Sequence, residues 1–513
     1  MSLLLPVTLL FFLAQAKPAR QAQPAQQIER VVRLMQSGKM EEAEQALSNI
    51  LRSDRRNANA LNLLGILRGE QNRPDDAEKL FLQALEINPK LVGAAVNLGY
   101  LYRKTERPEE ALSAFTRADK IQPGDPEIQF NIASLRADAG AYSTSLAVLE
   151  KIAQADRPPE YALVLARCYL GLGRLEDLRK LLSEMRSMQA RSPAVLAELA
   201  QLLMNAKLLD EAIDFLESIE GPAATSFPVT FNLGEAYQMK GSLGKAAERY
   251  RAALRAQPHS VETLKRLAVI AQRTAKWEEM FQYLGQAKAL APNSGALLYG
   301  FALAALRTNH LGDAQQAIRQ ALDLEPENAE YLYFYGITLM SFSDIPPAIE
   351  TFRKYVRMKP QDAMGYLALA FALYESAQYD EALSALNRCR ELNPDLVEPF
   401  YYLGMIAHNR GESQKALDYL NQVVARDPTH AAAHSGLGAV YFKLGELAKA
   451  KNELELAISL NPSHATTHYQ LSQVLVRLNQ REEAEKELKL YTELKAKAEE
   501  ARSAASRLLA TKP

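Results

Sequence analysis

Residues 98–123 run Leu98-Gly99-Tyr100-Leu101-Tyr102, then Pro108-Glu109-Glu110-Ala111-Leu112, and close on Pro123. The same marks return along the chain at a fixed interval. Pro89 and Pro123 stand 34 residues apart, and so do successive members of the set Pro258, Pro292, Pro326, Pro360, Pro394, Pro428 and Pro462. A small residue keeps the same phase at Gly65, Gly99, Ala133, Ala200, Gly234, Ala268, Ala302, Gly336, Ala370, Gly404, Gly438 and Ser472. An alanine recurs at Ala77, Ala111, Ala246, Ala348, Ala382 and Ala450, each followed four positions later by a large apolar residue such as Phe81, Phe115, Tyr250, Phe352, Leu386 or Leu454.

Self-similarity at such a period is the mark of a repeat architecture. Within each unit apolar residues recur every three or four positions over two segments, which predicts two amphipathic helices. A turn separates them, often at glycine, as at Gly140, Gly241, Gly411 and Gly445; glycine supplies the backbone freedom a tight turn needs. Proline then ends the second helix, because it lacks the N–H and clashes with the preceding turn. One helix pair cannot bury its apolar face alone, so neighbouring pairs must stack into a continuous core.

Unit length, Leu-Gly pair, later alanine and terminal proline together resemble the tetratricopeptide repeat family. About fourteen units are expected between residues 24 and 498. The resemblance implies an all-α fold: a right-handed superhelical solenoid of antiparallel helix pairs. It further implies that the first helix of each pair lines a concave groove holding peptide or helical segments of other proteins. Three regions depart from the pattern. Residues 24–57 lack the glycine and proline and are expected to cap the N-terminal block, 24–152. The phase slips by one residue between Ser145 and Ala212, so 153–228 reads as irregular repeats before a regular block, 229–498. Residues 499–513 read as a capping helix and tail.

The remaining chain features exclude several functions. With 513 residues the chain exceeds the size of one compact core, and the repeats absorb that length. Sixty Lys and Arg against 61 Asp and Glu leave a net charge near −1, so neither nucleic acid nor an anionic membrane surface is an expected partner. Two cysteines, Cys168 and Cys389, form no disulfide framework. No phosphate loop, zinc-protease motif or nucleophile elbow is present; no catalytic residue and no cofactor are expected. His430 and His434, with His464 and His468, repeat at 34 residues and read as duplicated repeat positions more readily than as a metal site.

Residues 3–16 are apolar and end in Ala14-Gln15-Ala16, a small-x-small sequence ahead of Lys17. This predicts an export signal at 1–16, followed by a Gln-, Ala- and Pro-rich linker at 17–27. The expected location is the periplasm or the exterior; an uncleaved N-terminal membrane anchor is the alternative.

Two groove surfaces emerge from the repeats. Between 295 and 410 the stripe beside the stacking columns is apolar: Tyr333, Ile337 and Met340; Leu367, Phe371 and Tyr374; Tyr401, Met405 and His408. Tyr299, Phe334 and Tyr402 adjoin it. Aromatics and methionine favour interfaces, so these residues either hold a partner or pack between repeats. The earlier stripe carries Asn97, Asn131, Asn232, Lys265 and Arg266, which resembles the amide ladders and carboxylate clamps of peptide-binding family members. The expected function is a non-catalytic scaffold for partner proteins, or alternatively a recruiting subunit of an envelope enzyme or secretion complex.

Overall fold

The computed structural model describes residues 22–187 and 192–510, and in it every proline of the 34-residue column lies two positions beyond the end of a helix. The residue before each proline leaves the helical region, as at Asn88 (φ −127°, ψ 89°) and Asn461 (φ −141°, ψ 85°). That is the steric effect of the proline ring on its predecessor. The next helix then starts, commonly under a side-chain cap: Asn57, Asp125, Ser260, Ser294, Asn328 and Asp362 each accept a backbone N–H of the first turn. Such caps satisfy donors that have no partner inside the helix.

Among the described residues there are twenty-eight α-helices and no strand, which form fourteen consecutive pairs. The turn inside each pair contains one residue of positive φ. These residues are Gly38, Asn72, Glu106, Gly140, Gly173, Lys207, Gly241, Ala275, Asn309, Ser343, Ala377, Gly411, Gly445 and Asn479. Their spacing is 34 throughout, except for a single step of 33 from Gly140 to Gly173. The phase slip is therefore the loss of one residue. The same stretch has two shortened second helices, Tyr142–Leu149 of 8 residues and Leu209–Glu217 of 9. The other second helices have 13 or 14, the terminal one apart. Each short helix gives way to a 3-10 turn, Gln154–Asp156 or Gly221–Thr225, beside Pro158-Pro159 and Gly221-Pro222.

The chain divides into two units, Met1–Ala256 and Gln257–Pro513. The division falls beyond the irregular stretch, so those repeats belong to the N-terminal unit together with the pair Phe227–Met239 and Leu243–Ala256. The first helix starts at Ala22, inside the stretch that composition assigns to a linker. Val31 and Met35 are buried and Ile28 packs on the same core, and this apolar face holds the helix on its neighbours. The last helix, Arg481–Ala510, is continuous, so the cap expected at 499–513 is an extension of the final repeat as far as Ala510. The expected export signal at 1–16 lies outside the described residues.

The repeating core contact joins the two columns. Where the first helix has glycine, the large residue of the second helix lies against it. A Cβ on Gly99 would stand 2.7 Å from the Phe115 ring, on Gly65 2.6 Å from Phe81, on Gly234 2.7 Å from Tyr250, and on Gly336 2.5 Å from Phe352. Phe115, Tyr250 and Phe352 are fully buried. Where alanine takes the notch, as at Ala268, Ala302 and Ala370, the partner position holds Leu284, Ile318 or Leu386, which are narrower than a ring. Gly99→Ala should therefore destabilise the fold by about 1–3 kcal/mol, outweighing the ~1 kcal/mol that alanine adds to an unobstructed helix. The loss reads as a fall in urea midpoint. Adding Phe115→Leu should recover part of it, giving a double-mutant cycle that is not additive.

Candidate peptide-binding surfaces

Consecutive first helices touch one another in both units. In the N-terminal unit Ala58–Glu70 meets Val92–Lys104; in the C-terminal unit Ala363–Glu375 meets both Ala329–Ser341 and Glu398–Asn409. Among the described residues no two consecutive second helices approach as closely. The first helices thus form the more closely spaced layer, and each stack curves toward it. Side chains on that layer decide what a groove would present.

In the N-terminal unit the amides are turned inward. Asn62, Asn97 and Asn131 are 3%, 5% and 3% exposed. Asn97 Nδ2 donates to Asn62 Oδ1 at 2.9 Å, across the boundary between two repeats. Asn131 Nδ2 donates to the Glu127 carbonyl at 2.9 Å and to the Tyr100 hydroxyl at 3.0 Å, while Arg103 donates to Asn131 Oδ1 at 2.5 Å. Tyr100 in turn donates to Glu127 Oε1 at 2.6 Å; burial, then that carboxylate, pushes its phenol well above the usual range. Asn232, half-buried, donates to the Ala197 carbonyl at 2.7 Å. These amides tie successive repeats together. Asn62 escapes a reading in columns of 34, because its partner lies 35 residues on.

Arg266 belongs to the C-terminal unit and Asn232 to the N-terminal one. Glu262 pairs with both Arg266, at 3.0 Å, and Lys265, at 3.1 Å. The cations of the expected clamp are thus matched by a carboxylate of their own helix. Beside the N-terminal amides lies a pocket of about 30 Å³ lined by Gly65, Gly69, Phe81, Asn97, Tyr100 and Lys104, space for little more than a water.

In the C-terminal unit the predicted aromatics fall into three groups. Tyr299 lies 5.2 Å from Tyr331 and 5.4 Å from Phe334 between ring centroids; Phe334 is buried. Tyr333 packs on its own pair's second helix, 5.1 Å from Tyr355 and 6.0 Å from Phe352. The third group crosses repeats. Tyr402 lies 5.6 Å from Phe371, 5.5 Å from Tyr374 and 5.1 Å from Tyr401. Tyr401 reaches His430 of the following pair at 5.4 Å, and Tyr374 reaches Tyr379 at 6.1 Å. Met405 Sδ would be 3.1 Å from a Cβ on Gly436, also in the following pair. Phe371, Tyr374, Tyr401, Tyr402 and Met405 are all half-buried. Each ring packs on a neighbour, as one reading of the stripe requires, and keeps part of its surface in solvent.

Glu375 and Glu398 flank this third group. Burial, then Tyr374 and the Glu375 carboxylate, push the Tyr401 phenol up to about 12. Burial foremost, with Tyr401 and both carboxylates among the lesser causes, raises Tyr402. His408, on the same helix, is depressed by burial and by Lys443, and its buried Nδ1 has no hydrogen-bond partner.

The duplicated histidines have structural work. His434 Nδ1 faces Glu453 at 2.6 Å and its Nε2 faces the Pro428 carbonyl at 3.1 Å. His468 repeats this with Glu487 at 2.5 Å and Pro462 at 2.9 Å. His430 Nδ1 accepts from the Ala433 N–H at 3.1 Å, and His464 Nδ1 pairs with Thr467 Oγ1 at 2.7 Å. Among the described residues no cluster suited to a metal ion is found. Both cysteines are buried, and Cys168 Sγ lies 3.3 Å from Ser145 Oγ.

Asn97→Ala should cost about 1–3 kcal/mol, the penalty for leaving the buried Asn62 acceptor unpaired. Thermal unfolding of the variant measures it; an unchanged midpoint would show that the amide is dispensable to the fold.

Sequence models of the tetratricopeptide repeat match residues 29–90, 64–126, 299–363 and 367–431, 102–168 and 409–459, and 465–497. No curated protein matches the chain. Solved structures similar to it include the Cut9–Hcn1 hetero-tetramer of the APC/C, with 13% identity, 89% of this chain and 96% of that one covered, and a TM-score of 0.42. Yeast Tom70 is similar at 16% identity, with 88% and 96% covered and a TM-score of 0.38. A tetratricopeptide repeat protein from Parabacteroides merdae is similar at 18%, with 48% and 98% covered and a TM-score of 0.42. With fourteen helix pairs, the matched repeats and the glycine-to-ring contacts, this chain belongs to the tetratricopeptide repeat family.

Proposed function

We propose that the chain is a non-catalytic protein-interaction scaffold whose C-terminal unit holds an apolar segment of a partner protein against Phe371, Tyr374, Tyr401 and Tyr402. One observation carries the reading: this ring group bridges two successive first helices and reaches His430 of the next pair, while each ring remains partly in solvent. Contiguous apolar surface that reaches solvent favours interaction sites, and rings lose little conformational freedom on binding. The asparagines of the N-terminal unit serve a different end, since their amides are occupied within the stack.

Replacing Tyr374 and Tyr401 together with serine should weaken capture of the native partner by more than about tenfold, as loss of aromatic anchors does. Circular dichroism identifies a folded variant, and a folded variant that retains its partner overturns the proposal.

The apolar stretch at residues 3–16 supports a separate proposal, that the protein is exported. Among the described residues no helix is long and apolar enough to cross a membrane. Sequencing the N-terminus of the mature protein should find it beginning at or near Lys17; an intact N-terminus on a cytosolic protein overturns export.

A further inference from the structure

The surface around these rings has a charge bias that narrows the partner. The three first helices Ala329–Ser341, Ala363–Glu375 and Glu398–Asn409 carry Glu330, Glu375 and Glu398 and contain no Lys or Arg. Every other first helix of the C-terminal unit has at least one basic side chain. Glu375 and Glu398 are exposed and form no ion pair among the described residues. Glu375 directly follows Tyr374 on its helix, and Glu398 stands one helical turn before Tyr401 and Tyr402 on theirs. Glu375 also ends its helix, where the backbone dipole is already negative.

Basic side chains of the neighbouring second helices are engaged with other groups, Arg390 and Arg426 over the buried Phe400 ring at 4.6 and 3.9 Å. Arg353 pairs with Glu350 and Glu381, Arg388 with Glu391, and Arg410 with Asp380. The Lys443 amine donates to the His408 carbonyl at 3.1 Å, beyond the ring group. What remains is a cluster of aromatic faces bordered by unpaired carboxylates. Aromatic faces attract cations through the ring quadrupole, by about 0.5–2 kcal/mol per contact depending on desolvation. An acidic partner segment would instead meet like charge, which is a strong negative selector.

We infer that the segment held on this face is basic: a stretch of partner protein in which Arg or Lys alternates with apolar residues, its cations seated between the tyrosine rings and the carboxylates of Glu375 and Glu398. The inference rests on the groove reading proposed above and adds the chemistry of its occupant.

The test pans a phage-displayed library of random peptides against the full chain and re-measures recovered peptides on two variants. On Tyr374→Ser/Tyr401→Ser, loss of binding assigns a peptide to the ring face. On Glu375→Gln/Glu398→Gln, whose altered side chains are exposed and leave the core untouched, affinity should fall by about five- to tenfold. The fall should shrink as salt rises, because exposed charges are screened. Ring-dependent peptides rich in Arg and Lys support the inference. Ring-dependent peptides with no basic excess, or with unchanged affinity on the glutamine variant, overturn it and leave the groove reading standing. Recovery of no ring-dependent peptide overturns both.

Discussion

The architecture depends on one contact made again and again: a large residue of the second helix seated on a glycine or alanine of the first. Phe115 on Gly99 and Phe352 on Gly336 leave no room for a methyl group. The contact sets how closely the two helices of a pair approach. It also couples the two columns, for the rings of Phe81, Phe115, Tyr250 and Phe352 each face a glycine, while leucine is seated on glycine at Gly404 and Gly438 and stands opposite alanine at Ala268 and Ala370. In an interior packed to crystal density a ring needs the space that glycine leaves. Because each pair is closed in this way, its remaining apolar surface must be covered by the pairs before and after it, and the array propagates.

The period itself is held by backbone, not by side-chain packing. Proline follows nine of the second helices, and a left-handed residue turns each pair. Glycine fills that left-handed position at Gly38, Gly140, Gly173, Gly241, Gly411 and Gly445, but Ala275, Ser343 and Ala377 adopt it too. For residues with a Cβ this conformation is disfavoured, and the surrounding stack imposes it. Loss of one residue between Gly140 and Gly173 is absorbed by shortening a helix and inserting a 3-10 turn, without loss of pairing.

The same layer of first helices is used in two ways. In the N-terminal unit Asn62, Asn97 and Asn131 join repeats through buried amides. In the C-terminal unit Phe371, Tyr374, Tyr401 and Tyr402 join repeats through ring contacts and keep solvent-facing surface. A buried amide must find partners, because leaving it unpaired is costly, so the asparagines are consumed by the stack. A ring has no such demand on all its surface and keeps part of it in solvent. Asn97 and Asn131 share the phase of Tyr402, and Asn62 that of Tyr401, so spacing alone does not separate amides from rings. Tyr379, which completes the ring network, stands on a second helix, outside the first-helix columns.

The sequence alone determined the helix pairs, their number, the small and large columns and the place of the slip. Those follow from local rules: periodicity, proline, glycine and the need of each pair for neighbours. Only the tertiary structure decided which groove-phase residues are spent within the stack and which stay open. It also placed Glu375 and Glu398 beside the rings, a grouping that no single column carries. The physical reason is that a repeat specifies contacts within itself and with its immediate neighbours, whereas burial of a given amide or ring depends on which side chains those neighbours bring to the shared face.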